Sequence, residues 1–179
     1  MKISKKYSEI FFEDKKGRTR SFYLKKKSSH IKLKLIVVFL NYFSKKFNQD
    51  TRVCFHKNYK DKLQDMVLLQ HNKNFYKPHK HQNGYDTYNV ISGKLGVVIF
   101  NNNGKIKKTL LLKKNHIYKT PNNMFHVTIP ISKIVIYHEY KSGKFNRKTN
   151  CIFPKWCPRD PNQIKEFKKK LKKNIYEKS

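Results

Sequence analysis

The chain has 179 residues, a length suited to one domain with a sizeable core. Six Gly and six Pro exclude a collagenous or low-complexity protein, and 14% aromatic residues supply core-building material. Lys and Arg total 42 against 11 Asp and Glu, for a formal net charge of +31. A field of that size invites nucleic acid or an anionic membrane as partner. Its distribution argues otherwise, because residues 1–50 carry 14 basic and 4 acidic residues and residues 51–179 carry 28 and 7. No single tail holds the excess. Lys far outnumbers Arg and Asn is abundant, as an AT-rich coding sequence would produce; selection for anionic partners, phosphorylated metabolites included, is the competing reading.

In chain order, residues 1–30 read as a basic, loosely attached extension with Phe11, Phe12, Phe22 and Tyr23 as apolar anchors and room for one hairpin around Asp14–Arg18. Residues 31–50 form a lead-in segment. Within it Leu33, Ile36, Val37, Leu40 and Phe43 recur at helical spacing, while Ile36–Phe39 also suits a strand; the periodicity favours a helix over 33–47. This apolar run is well short of the ~20 residues a transmembrane helix needs and lacks a cleavage site, so a cytoplasmic protein without a membrane span is expected. Three cysteines (Cys54, Cys151, Cys157) form no CxxC pair, so neither a thiol redox motif nor a Cys-rich zinc site is supported.

From about residue 51 the pattern is all-β. Apolar runs at Met66–Leu69, Tyr85–Ile91, Leu95–Phe100, Thr109–Leu112 and Lys133–Tyr140 are separated by the turn signals Asn83-Gly84, Ser92-Gly93, Asn103-Gly104 and Pro121-Asn122. Short strands at this spacing imply a sandwich or a closed barrel. The period changes again at 159–179, a Lys-rich segment. Ile164, Phe167, Leu171 and Ile175 make one helical stripe, with Asp160 as N-cap, Pro161 at the first helical position and Gln163 as capping partner. This amphipathic helix is expected to pack on the barrel.

The chemistry is concentrated in Pro78-His79-Lys80-His81, followed five residues later by Asp86. Imidazoles two residues apart share one face of a strand. Asn83-Gly84 turns the chain so that Asp86 can approach the same ion, and His126 offers a third ring after the Pro121-Asn122-Asn123 turn. Three imidazoles and a carboxylate suit one divalent transition metal: Zn, Fe, Mn, Ni or Co.

This pattern resembles the two cupin motifs, and residues 52–158 resemble the WbuC family of cupin-fold metalloproteins. The resemblance is carried by Arg52, Phe55-His56, Asp61, Gln64, Tyr76 through His81, Gly93, Phe100, Gly104, His126, Glu139, Lys141, Gly143, Phe153, Trp156 and Pro158. It implies a cupin barrel over 51–158, that is, a double-stranded β-helix or jelly roll, with a helix before it and another after. It also implies a link to surface-polysaccharide (O-antigen) gene clusters. The chain departs from the family's pattern in having Asp86 for the usual Glu, one methylene shorter. It also has Phe125 where an aromatic wall is expected.

The expected site therefore has His79, His81, Asp86 and His126 on the metal and Arg52, Gln64, Tyr76, Lys77 and Tyr88 on a ligand. His56 and Glu139 are the candidate proton carriers, a surface partner for a lysine being the alternative for Glu139. Trp156 should anchor the C-terminal segment. The expected ligand is an anionic small molecule, a sugar nucleotide or a sugar acid, and a homodimer is an open assembly. Whether the barrel is an enzyme or a non-catalytic binding or regulatory cupin stays open. A nucleic-acid role lacks a convergence of aromatic and basic residues on one groove.

Overall fold

The computed structural model describes residues 3–14, 19–25, 30–58, 60–82, 84–143 and 151–177. The chain opens with helix α1 (Ile3–Ile10) and a hairpin of β1 (Phe11–Asp14) and β2 (Arg20–Leu24). It continues through helix α2 (Leu33–Phe47), β3 (Thr51–Cys54), β4 (Leu63–His71), β5 (Asp86–Ser92), β6 (Leu95–Phe100) and β7 (Ile106–Leu112). Strands β8 (Ile117–Lys119), β9 (Phe125–Pro130) and β10 (Ile134–Ser142) complete the β region, and helix α3 (Pro161–Glu177) follows. The residues between the hairpin strands, and Asn83 of the expected Asn83-Gly84 turn, lie outside the described residues.

Strand order identifies the architecture. One sheet runs β1-β2-β3-β4-β10-β5-β8 and the other β7-β6-β9. The second sheet gains a fourth, very short member because His79 bridges His126, one residue of β9, in antiparallel fashion. The inner eight strands therefore form β4-β10-β5-β8 facing (residues 79–80)-β9-β6-β7. That order, in which the chain crosses repeatedly between the sheets with only β6 and β7 consecutive in one of them, is the jelly roll of the cupin type. The fold is all-β with flanking helices.

Strand alternation divides the core into an interior and two outer layers. Inside lie Met66, Leu68, Tyr88, Val90, Leu95, Val97, Val135 and Tyr137. On the outside of the larger sheet, α2 lays Ile36, Phe39 and Leu40 against Val53, Val67, Leu69 and Ile136. On the outside of the smaller sheet, α3 covers Val98, Phe100, Val127 and Ile129 with Leu171 and Ile175. The helical spacing over 33–47 thus won over the strand reading, because Ile36, Phe39 and Leu40 serve one face.

The N-terminal segment differs from the loose extension expected. Tyr7, Phe11 and Phe22 are buried, and all three rings surround the fully buried Phe39 at centroid distances of 4.5–4.8 Å. β2 also pairs in parallel with β3, so the hairpin lengthens the barrel sheet. The basic composition concealed this, since three aromatic anchors suffice once a helix presents a complementary face.

Two glycines are required by close approach. A Cβ on Gly96 would lie 2.4 Å from Ile175 Cδ1, so α3 docks because β6 has no side chain there. Gly104 has φ +84°, and a Cβ would lie 2.9 Å from Trp156. Trp156 donates its Nε1–H to the Asn102 carbonyl at 2.9 Å and packs on Phe100, holding the segment before α3 to the barrel. Asp160 caps α3 by accepting the Gln163 N–H at 2.9 Å.

Candidate metal centre

The cluster is built by one bridge. His79 N–H donates to the His126 carbonyl at 3.0 Å and His126 N–H returns a bond to His79 at 2.8 Å. Residues paired in this way put their side chains on the same face of a sheet. His81, two residues on, shares that face. The three rings stand 4.7 to 5.4 Å apart, centre to centre. Asp86 arrives from the opposite sheet at the start of β5, where its N–H donates to Thr120 Oγ1 at 2.9 Å and its carbonyl accepts the Thr120 N–H at 2.8 Å. One ligating atom from each of His79, His81, Asp86 and His126 lies within 4.8 Å of all the others.

Asp86 is the centre of the hydrogen bonding. Its Oδ2 lies 3.1 Å from His81 Nε2 and 3.0 Å from His126 Nε2, and it accepts the Tyr88 hydroxyl at 3.0 Å. Its Oδ1 is buried and has no hydrogen-bond partner among the described residues. The imidazole tautomers are set from behind. His79 Nδ1 faces the Lys77 carbonyl at 3.1 Å and His126 Nδ1 faces that of Met124 at 2.9 Å. A carbonyl only accepts, so both Nδ1 atoms carry a proton and Nε2 of each ring faces the cluster. For His126, Nε2 faces a carboxylate oxygen, an arrangement that needs a proton or a cation between the two. A buried orphan carboxylate oxygen and an Nε2 facing a carboxylate are what a bound cation relieves, and the donor types fit a divalent transition metal.

The electrostatics agree. Burial, with the neighbouring His126 next, pushes the His79 pKa down to about 3, so the ring is neutral. Burial would lower His81 too, but its hydrogen bonds to Asp86 and Cys151, together with the Asp86 charge, outweigh that and the pKa is raised to about 9. Burial would raise Asp86; hydrogen bonds from His126 and His81 reverse the effect and hold it well below the usual carboxylate range. These two shifts each contribute to the pH dependence of the metal-free fold. The His81 contribution to stability is complete below its unfolded value of ~6.5 and is lost as pH rises through about 9. That of Asp86 is lost in acid. Urea denaturation of metal-free protein should therefore show stability falling between pH 6.5 and 9, and His81→Gln should flatten that fall.

A cavity of about 310 Å³ opens beside the cluster, inside the barrel. Arg52, Tyr76, Lys77, Tyr88 and Glu139 line it, together with His79 and Asp86. Tyr76 donates its hydroxyl to Asp50 Oδ2 at 2.7 Å. Glu139 faces inward on β10 rather than pairing with a surface lysine. Burial first, and then the Asp86 charge, raise its pKa to about 7.

Two residues expected at the site are placed elsewhere. Gln64 is buried, and its amide donates to the Asp61 carbonyl at 3.0 Å and more weakly to Asn58, closing the turn before β4. His56 packs edge-on against Tyr23, and its Nδ1 accepts the Asp65 N–H at 3.1 Å. Both side chains are engaged by the β3–β4 connection, and neither lines the cavity. Phe125 likewise turns away from the site, 5.7 Å from Trp156 on the outer face.

Sequence reasoning did not place Asp50, Cys151 or Thr128 on the cavity wall. Asp50 accepts from the His71 backbone at 2.9 Å and faces His71 Nδ1 at 3.1 Å, while His71 Nε2 lies 3.0 Å from Ser44 Oγ. Cys151 approaches Lys141 Nζ at 3.7 Å and hydrogen-bonds His81. No short-range motif marks these positions, because strand register alone brings them together.

A family model described as a domain of unknown function (DUF6016) matches residues 48–112. No curated protein matches the chain. Among solved structures, the Lactobacillus farciminis oxalate decarboxylase formate complex is 14% identical. It covers 52% of this chain and 27% of its own, with a TM-score of 0.43. The Schizosaccharomyces pombe Cnp3 cupin domain is 16% identical, covering 52% and 61% of the respective chains, with a TM-score of 0.42. A Bacillus subtilis oxalate decarboxylase, studied for its Mn(II) centres, is 17% identical over 48% and 23% of the chains, with a TM-score of 0.41. This chain thus spans about a quarter of the length of the decarboxylases it matches. Among the described residues no helix is long and apolar enough to cross a membrane.

Proposed function

We propose that the protein is a metal-binding cupin that takes an anionic, oxygen-rich small molecule into its barrel. The observation that carries this reading is the convergence of His79, His81 and His126 on a buried Asp86 whose Oδ1 has no partner among the described residues. A carboxylate left so would cost several kcal/mol of lost solvation, and a coordinated cation offsets that cost. Resemblance to the WbuC family, through Arg52, His79, His81, His126 and Glu139 among others, supports a place in surface-polysaccharide or nucleotide-sugar metabolism.

When bound, a divalent ion supplies polarisation of a ligand oxygen or a lowered pKa for bound water. The surrounding residues do the rest. Lys77 and Met124 carbonyls hold the His79 and His126 rings in the ligating tautomer, and Tyr88 orients Asp86. Glu139, with its pKa near 7, can hold or release a proton inside the cavity at neutral pH. A binding protein would use the same cavity without turnover, and product formation separates it from an enzyme.

Calorimetric titration with a panel of sugar acids and sugar nucleotides tests the reading, on metal-loaded and chelator-stripped protein. Ligand affinity should fall by at least ~10-fold on stripping, the loss expected when a charged contact disappears. Equal affinity in both forms would remove the metal from recognition.

A further inference from the structure

The cavity contains a guanidinium, Arg52, that makes no direct ion pair among the described residues. Register places Arg52 opposite Leu68, and Leu68 opposite Tyr137, so its side chain shares their inward face. Inside, Arg52 Nε donates to Ser21 Oγ at 2.7 Å, and Nη1 has only the Met66 sulfur at 3.8 Å. No carboxylate among the described residues forms an ion pair with it. A guanidinium that lines the cavity with a hydroxyl and a thioether for company keeps N–H donor capacity for an anion there. On the same wall, Gln70 Oε1 is buried without a hydrogen-bond partner among the described residues, an acceptor in want of an O–H or N–H donor.

We infer that the ligand is a polyhydroxylated monocarboxylic acid of monosaccharide size, its carboxylate on Arg52 and a hydroxyl on Gln70. This rests on the proposed metal-binding cavity and chooses between its two ligand classes. Volume favours the acid over the nucleotide: about 310 Å³ is at the lower end of the ~300–1,000 Å³ found for small-molecule sites, so a nucleoside diphosphate would have to extend outside it. Charge decides against a phosphate. Asp50 and Glu139 share the cavity wall, and their oxygens oppose a dianion more than a singly charged carboxylate. Strands β4 and β10 separate Arg52 on β3 from Asp86 on β5. With its carboxylate on Arg52, the acid would lie along this inner face with its far hydroxyls toward the histidine cluster.

The test is calorimetry on the full-length, metal-loaded protein with four probes: D-glucuronate, D-glucose, glucose 6-phosphate and UDP-glucuronate. Glucuronate should bind most tightly. Arg52→Gln should weaken glucuronate on the order of 10- to 100-fold, the loss of a charge-assisted pair, while leaving glucose unchanged. Arg52→Lys, which keeps the charge without the fork, should fall between. Metal content of each variant is measured in parallel. Normal metal content with equal glucuronate and glucose affinity overturns the carboxylate assignment and leaves the metal reading standing, whereas absence of metal from the wild-type protein overturns both. Tighter binding of glucose 6-phosphate or UDP-glucuronate than of glucuronate also overturns the inference. If Arg52→Gln fails to fold, the comparison of the four probes on the wild-type protein still decides.

Discussion

Replacing both His79 and His81 with Ala should reduce bound metal from about one ion per chain to below ~0.1, because even residues that only orient a ligand cost 10- to 100-fold in affinity. His79 and His81 are two of the four donors, and each is tied to a third: His79 by its backbone exchange with His126, His81 by its contact with Asp86. Their removal leaves Asp86 with one imidazole and the Tyr88 hydroxyl, a donor set without the nitrogen ligands that favour a transition metal. Elemental analysis of purified wild-type and double-variant protein is the measurement. Full occupancy in the double variant would end the assignment of this cluster as a metal site. Asp86→Asn should retain part of the metal, since the amide keeps one oxygen donor while losing the charge.

The second large effect is on stability. Leu171→Ala with Ile175→Ala should bring the protein close to unfolding at 25 °C. Both side chains are essentially inaccessible, at 1% and 0% exposure, and both press on the β6–β9 face, with Ile175 seated over Gly96. Each truncation of this kind costs ~2–5 kcal/mol, against a total stability of ~5–15 kcal/mol for a domain. Neighbouring sites share a cavity, so the two costs will not simply add. Chemical denaturation is the check, with the exposed Lys169→Ala as control. An unchanged midpoint for the double variant would show that α3 contributes nothing to the fold.

Much of this was legible from periodicity. Helix α2 falls over the range that its i, i+3, i+4 apolar spacing demands, and α3 starts where Asp160 can cap it. Five of the strands are the apolar runs bounded by Gly and Asn turns, because alternation and turn chemistry are local properties. The donor set was legible too, since two histidines at strand spacing have to share a face. What the sequence hides is long-range register. Strand β8 has three residues and too little pattern to recognise, and β9 was overlooked between stronger signals. Asp50, at the end of a helix segment, gave no sign that it would reach the barrel cavity. His56 and Gln64 failed for a related reason: a residue's hydrogen-bonding capacity says nothing about where that capacity is spent, and both spend it on the β3–β4 connection.

The three-layer core has a consequence for how such a chain can change over generations. The helices meet the barrel on its outer faces, while the histidines and Asp86 are held from the inside by strand register and backbone carbonyls. Substitutions in α2 or α3 therefore tax the melting temperature without re-aiming a single donor atom, and the lysine-rich exterior can drift in composition with little penalty to the chemistry. Innovation in this scaffold has a narrow address. A handful of inward-facing positions on β3, β4 and β10 can alter what the cavity accepts, while the rest of the molecule is free to follow the nucleotide bias of its genome.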